Sequence, residues 1–138
     1  MSLNPYLTFD GNCRQAFEFY RSVFGGDFSI VMTFADAPPD LNVADADKER
    51  VMHMSLPIGT TTLMGSDTAE GFGGPVVAGT NFSLSIASES RAKADELFNK
   101  LSAGGEVTMP MQDTFWNSYF GTCRDQFGIN WMIDHHLG

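Results

Sequence analysis

The hydrophobic positions along this chain change period twice, in the same order each time. Tyr6-Leu7-Thr8-Phe9 alternates and predicts a strand. Asp10-Gly11-Asn12 reads as a turn, and Asn12 with Gln15 three residues on approaches a capping box. Ala16, Phe17, Tyr20, Val23 and Phe24 then fall at helical spacing, and Gly25-Gly26 predicts a left-handed stop. Phe28 to Phe34 is rich in β-branched and aromatic residues and predicts a second strand. Val51 to Leu56 and Thr60 to Met64, joined at Gly59, predict a hairpin.

The same order returns in the second half. Asn81 to Ala87 predicts a strand, and Ser88 or Ser90 can cap the helix that follows. Ala94, Leu97, Phe98 and Leu101 form its apolar stripe, and Gly104-Gly105 ends it. Val107 to Met111 contains Pro110, which suits an edge strand or a bulge. Tyr119 to Arg124 and Ile129 to Asp134 flank the turn Asp125-Gln126-Phe127-Gly128. Both halves therefore read βαβββ. The modules cover about residues 4–66 and 80–136 of one domain spanning 1–138, with a glycine-rich linker at 67–79.

The remaining segments narrow the chemistry by exclusion. Ala35 to Lys48 carries Asp36, Asp40, Asp45 and Asp47, but not at the offsets of a calcium loop, and reads as a solvated acidic loop. Gly71-Phe72-Gly73-Gly74 has no helix after it and is not a phosphate-binding fingerprint. A net charge of -9 argues against nucleic acid and anionic membranes as partners. No apolar run is long enough to span a bilayer, and the first residues lack a secretory pattern, so a cytoplasmic protein is expected. Cys13 and Cys123 form no paired motif and are expected to be free, inert thiols.

Six side chains stand out as candidates for function. His53 lies within a predicted strand and is either a hydrogen-bonded core or rim histidine or a pocket acid/base. Trp116 and Tyr119, with Phe115, either pack a loop on the sheet edge or wall an apolar ligand. Tyr6, Met64 and Met132 sit in predicted strands and are further candidates for lining such a site. Asp67 reads as part of a turn, the alternative being a polar group at the mouth of the site. His135 and His136 read as a solvated tail.

The tandem βαβββ repeat resembles the vicinal oxygen chelate superfamily, which includes glyoxalases, extradiol dioxygenases and drug-resistance binding proteins. Asn4-Pro5-Tyr6-Leu7-Thr8-Phe9-Asp10-Gly11-Asn12, Ala16-Phe17-Glu18-Phe19-Tyr20, Thr114-Phe115-Trp116 and Asp125-Gln126-Phe127-Gly128-Ile129-Asn130-Trp131-Met132-Ile133 are similar to the PhnB-like branch, whose members carry the label 3-demethylubiquinone methyltransferase-like. The resemblance implies an α+β, glyoxalase-like fold: two modules forming a curved, cup-shaped sheet, helices outside, in a homodimer. It also implies a divalent metal in the catalytic members, held by His or Glu from the first and last strands. The positions expected to hold it offer neither residue, so no metal ligand and no cofactor is predicted. No glycine-rich βα turn is present to bind a nucleotide-type methyl donor. The expectation is a protein that binds a small, partly apolar molecule, or a metal-independent enzyme on the same site. The alternatives are a metal-dependent lyase, isomerase or dioxygenase and a non-catalytic drug-sequestering dimer.

Overall fold

The computed structural model describes residues 1–138 as two compact units, Met1–Val77 and Ala78–Gly138. The first contains β1 (Tyr6–Phe9), α1 (Cys13–Phe24), β2 (Ile30–Thr33), β3 (Val51–Ile58) and β4 (Thr61–Asp67). Its sheet runs β1-β4-β3-β2, with β1 parallel to β4 and the other pairs antiparallel. The second contains β5 (Leu84–Ala87), α2 (Arg91–Ser102), β6 (Glu106–Asp113), β7 (Ser118–Arg124) and β8 (Asn130–His136). Its order, β5-β8-β7-β6, repeats the first strand for strand. The chain is thus α+β, a tandem βαβββ fold of glyoxalase type.

Each unit buries one face of its sheet under its helix. In the first, Leu7, Phe9, Met54, Leu56 and Leu63 are buried with Ala16, Phe17 and Tyr20 of α1. Gly65 makes the close approach possible: a Cβ there would lie 2.6 Å from the Phe17 ring. The second unit uses the same device on a different strand, where a Cβ at Gly121 would lie 3.0 Å from the ring of Phe98 on α2. Ile133, Trp131 and Cys123 complete that buried face with Leu97 and Leu101.

Several element ends differ from the sequence reading. Asn12 makes no side-chain cap; the Asp67 carboxylate takes the N–H groups of Gly11 and Cys13, both at 2.9 Å. Asp67 therefore belongs neither to a turn nor to a site mouth, but ends β4 as a buried clamp. Gly25 stops α1 with φ 79 but an extended ψ of −170, not the left-handed well. The second strand ends at Thr33 because the Asp36 carboxylate accepts the Thr33 N–H and Phe34 turns into the core. Gly65 and Ser66, beyond the predicted strand, and Asp67, read as the first linker residue, continue β4, since Met54 and Leu7 both pair with Gly65. Ser90 caps α2 through the Lys93 N–H at 3.0 Å. The sixth strand is an edge strand whose register shifts between Met109 and Gln112, around Pro110. His135 and His136 are not a tail: they lie in β8 opposite Tyr119 and Ser118, and His135 Nδ1 is 2.9 Å from the Ser88 carbonyl.

Candidate functional site

The face of each sheet turned away from its helix carries the side chains with chemistry to offer. In the first unit, the strand pairing aligns Tyr6 with Met64, Met64 with Ser55, Ser55 with Ile30, and His53 with Met32. Alternation along each strand puts all six opposite the buried Leu7, Gly65 and Met54. Tyr6 and His53 lie on β1 and β3, with β4 between them, yet the Tyr6 hydroxyl is 3.0 Å from His53 Nδ1 and the rings stack at 5.6 Å. Two long flat side chains bridge a strand whose own residue there, Met64, is flexible enough to yield. Tyr6 is 48% exposed, while His53 and Met64 are half-buried. The pair is a donor–acceptor couple in either tautomer: the phenol donates to Nδ1, or Nδ1–H donates to the phenol oxygen. Ser55 is already engaged, its hydroxyl 2.6 Å from that of Ser29.

The corresponding face of the second unit mixes apolar, polar and charged side chains. Thr122 lies opposite Met132 and Phe120 opposite Asp134. Trp116, in the turn between β6 and β7, packs edge-on against Phe120 at 5.6 Å and remains half exposed. Phe115 leans on Trp116 at 5.0 Å and is almost wholly exposed. Thr114 holds this turn by hydrogen bonds to Ser118, and Asn117 takes a positive φ of 67. The aromatic tip is therefore displayed by a rigid turn. Tyr119 is not part of this group. It alternates with Phe120, faces α2, donates a 2.6 Å hydrogen bond to Asp95 and carries the Arg91 guanidinium over its ring. Asp95, then burial, raise its pKa above the ordinary value.

Comparison with known proteins places this arrangement. Residues 1–134 match the family described as 3-demethylubiquinone-9 3-methyltransferase. The chain belongs to that PhnB-like family. It is 29% identical to protein YjdN of Escherichia coli over 97% of this chain and 95% of that one. It is similar to the crystal structure of protein PA1353 from Pseudomonas aeruginosa, with a TM-score of 0.87 and 38% identity over 99% and 98% of the two chains. A putative 3-demethylubiquinone-9 3-methyltransferase, PhnB protein, from Bacillus cereus shares the fold at 21% identity and a TM-score of 0.78, covering 98% and 99%. More distant glyoxalase-related and fosfomycin-resistance structures share the fold alone.

The superfamily's divalent metal does not fit the residues of this PhnB-like chain. The first and last strands of the first unit offer only Tyr6, Thr8, Thr62, Met64 and Ser66 on the open face. In the second unit Asp134 and His136 share a face of β8, without a third such group beside them. No three His, Cys, Asp or Glu side chains assemble anywhere into a set able to hold a metal. A borderline cation needs such a convergent set. The thiols offer no alternative. Cys13 and Cys123 are both buried, and burial followed by a neighbouring carboxylate (Asp67 and Asp125 respectively) raises both pKa values, Cys123 to about 11.

Of the six candidates from the sequence, Tyr6, His53 and Met64 come together on the open face of the first unit. Met132 and Trp116 lie on the open side of the second, each next to a β7 residue, Thr122 and Phe120. Sequence reasoning missed Phe120, Met32 and the Tyr6–His53 bond. Period-two alternation from Met132 could have found Phe120 once the register was known. The Tyr6–His53 contact joins residues 47 apart and has no local signal.

Proposed function

We propose that this PhnB-like protein binds a small, partly apolar molecule on the open face of its first unit, without a metal. His53 and Tyr6 supply the polar contact, and Met64 and Met32 supply the adaptable wall. The observation that carries this is the Tyr6–His53 hydrogen bond: a solvent-facing polar couple set among apolar side chains. Binding sites combine such walls with a few fixed polar groups. Imidazole titrates nearest neutrality of all side chains, so the same pair can move a proton on a bound molecule. Trp116 and Met132 give the open face of the second unit an apolar surface of its own for such a molecule. The working form in this reading is a cytoplasmic homodimer; exposed Val31, Val107 and Met109 leave apolar surface for a second copy to cover.

Titration with the neutral fluorophore N-phenyl-1-naphthylamine tests the reading. Saturable binding is expected, unchanged after dialysis against a chelator and weakened about tenfold in His53→Ala, the loss of about 1.4 kcal/mol of binding free energy. Absence of saturable binding, or binding that follows added metal, sinks it.

A further inference from the structure

The open face of the first unit is electrically bare. On β1, β2, β3 and β4 its side chains are Tyr6, Ile30, Met32, Val51, His53, Ser55 and Met64, with threonine, serine and Pro57 at the remaining positions. Not one Lys, Arg, Asp or Glu is among them, although the chain carries 8 Lys and Arg and 17 Asp and Glu. The fixed charges of this unit are spent elsewhere. Arg50 pairs with Asp10 at 2.6 Å beside the β1–α1 turn, and Lys48 pairs with Asp45 in the acidic loop.

We infer that the ligand bound at the Tyr6–His53 pair is uncharged, its polar head a single hydroxyl or carbonyl that enters the Tyr6–His53 hydrogen bond. This rests on the binding reading above and names its chemical class. An anionic head would give up part of its hydration against a face with no cation to replace it. The net charge of -9 adds repulsion at longer range. A carboxylate or phosphate can accept one hydrogen bond from the couple, as a carbonyl can, but brings a charge that no side chain of this face offsets. The neutral couple presents one donor and one acceptor in either tautomer: Nε2–H and the phenol oxygen when Tyr6 donates, the phenol O–H and Nε2 when Nδ1–H donates. A hydroxyl, which donates and accepts, satisfies both ends, and a carbonyl satisfies the donor. Ser55 shares one hydrogen bond with the Ser29 hydroxyl and adds no charge to the face.

The test uses one apolar body with four heads, at pH 8, where imidazole is ordinarily neutral. The probes are 4-methylbenzyl alcohol, 4-methylacetophenone, 4-methylbenzoate and 4-methylphenyl phosphate. Methionine-methyl and amide NMR signals of the full chain report the binding face. The alcohol and ketone are expected to shift Met32, Met64 and His53 saturably, at least tenfold more tightly than the two anions. Tyr6→Phe keeps the ring but not the hydroxyl, and is expected to narrow the alcohol's advantage over the anions. Anions binding this face as tightly as the alcohol overturn the inference and leave the binding reading standing. Alcohol and ketone perturbing only other surfaces overturn the binding reading itself.

Discussion

Each unit closes around one buried carboxylate, but the two are wired differently. In the first, Asp67 at the end of β4 accepts the N–H groups of Gly11, Cys13 and Val51, all at 2.9 Å. Those partners lie 56, 54 and 16 residues away, so one side chain ties the start of α1 and the start of β3 to the last strand. In the second unit, Asp125 accepts from Phe127 and Ile129 within its own turn and from the Trp131 indole six residues on. The same strand order is thus held by a long-range clamp in one half and by a local one in the other. At the end of β8, the place Asp67 occupies in β4, His135 meets only the Ser88 carbonyl, and α2 is capped by its own Ser90. A carboxylate is needed in the first unit because Asn12 leaves the α1 N-terminus uncapped.

The largest effect should follow from breaking the long-range clamp. Asp67→Ala leaves three backbone N–H groups, two of them in buried contacts, without their acceptor. Losing hydrogen bonds to a charged group while stranding buried donors costs about 4 kcal/mol. Urea denaturation should show that loss; a change within about 1 kcal/mol would mean water replaces the carboxylate and the clamp is not needed. Asp125→Ala should cost less, about 2 kcal/mol, because the half-buried N–H groups of Phe127 and Ile129 can turn to water. An Asp125 variant as damaging as the Asp67 one would erase the distinction between the two units.

This contrast also marks what could be read in the sequence. The βαβββ order was legible because glycine pairs stop both helices and period-two alternation marks the strands. Pro110 announced its bulge, and Ser90 its cap. Asp67 was not legible, since its partners adjoin it only after β4 has paired with β1. The Tyr6–His53 pair was hidden for the same reason. Tyr119 is the instructive error of placement: it is two residues from Gly121 and four from Cys123, so alternation alone puts it on the face buried under α2. Its proximity in sequence to Trp116 suggested a shared wall, whereas the turn at Asn117 separates their directions.

That placement gives the smallest and most discriminating prediction. In the folded protein Asp95 accepts the Tyr119 hydroxyl proton and holds the phenol protonated, so its pKa lies above the ordinary value of 10.0. A pKa raised by folding contributes stability that is complete below the unfolded value and is lost as pH rises through the folded one. Tyr119→Phe keeps the ring under Arg91 but removes the hydrogen bond. It should lower stability by about 1 kcal/mol at neutral pH, less than a fully buried charged bond would because the site is partly exposed. The gap to the wild type should then shrink above about pH 10, where the wild-type phenol ionises against Asp95 while the variant has nothing to titrate. Paired urea titrations across that range read it directly. A gap that stayed constant with pH would mean that packing under α2, and not the bond to Asp95, is what Tyr119 contributes to the second unit.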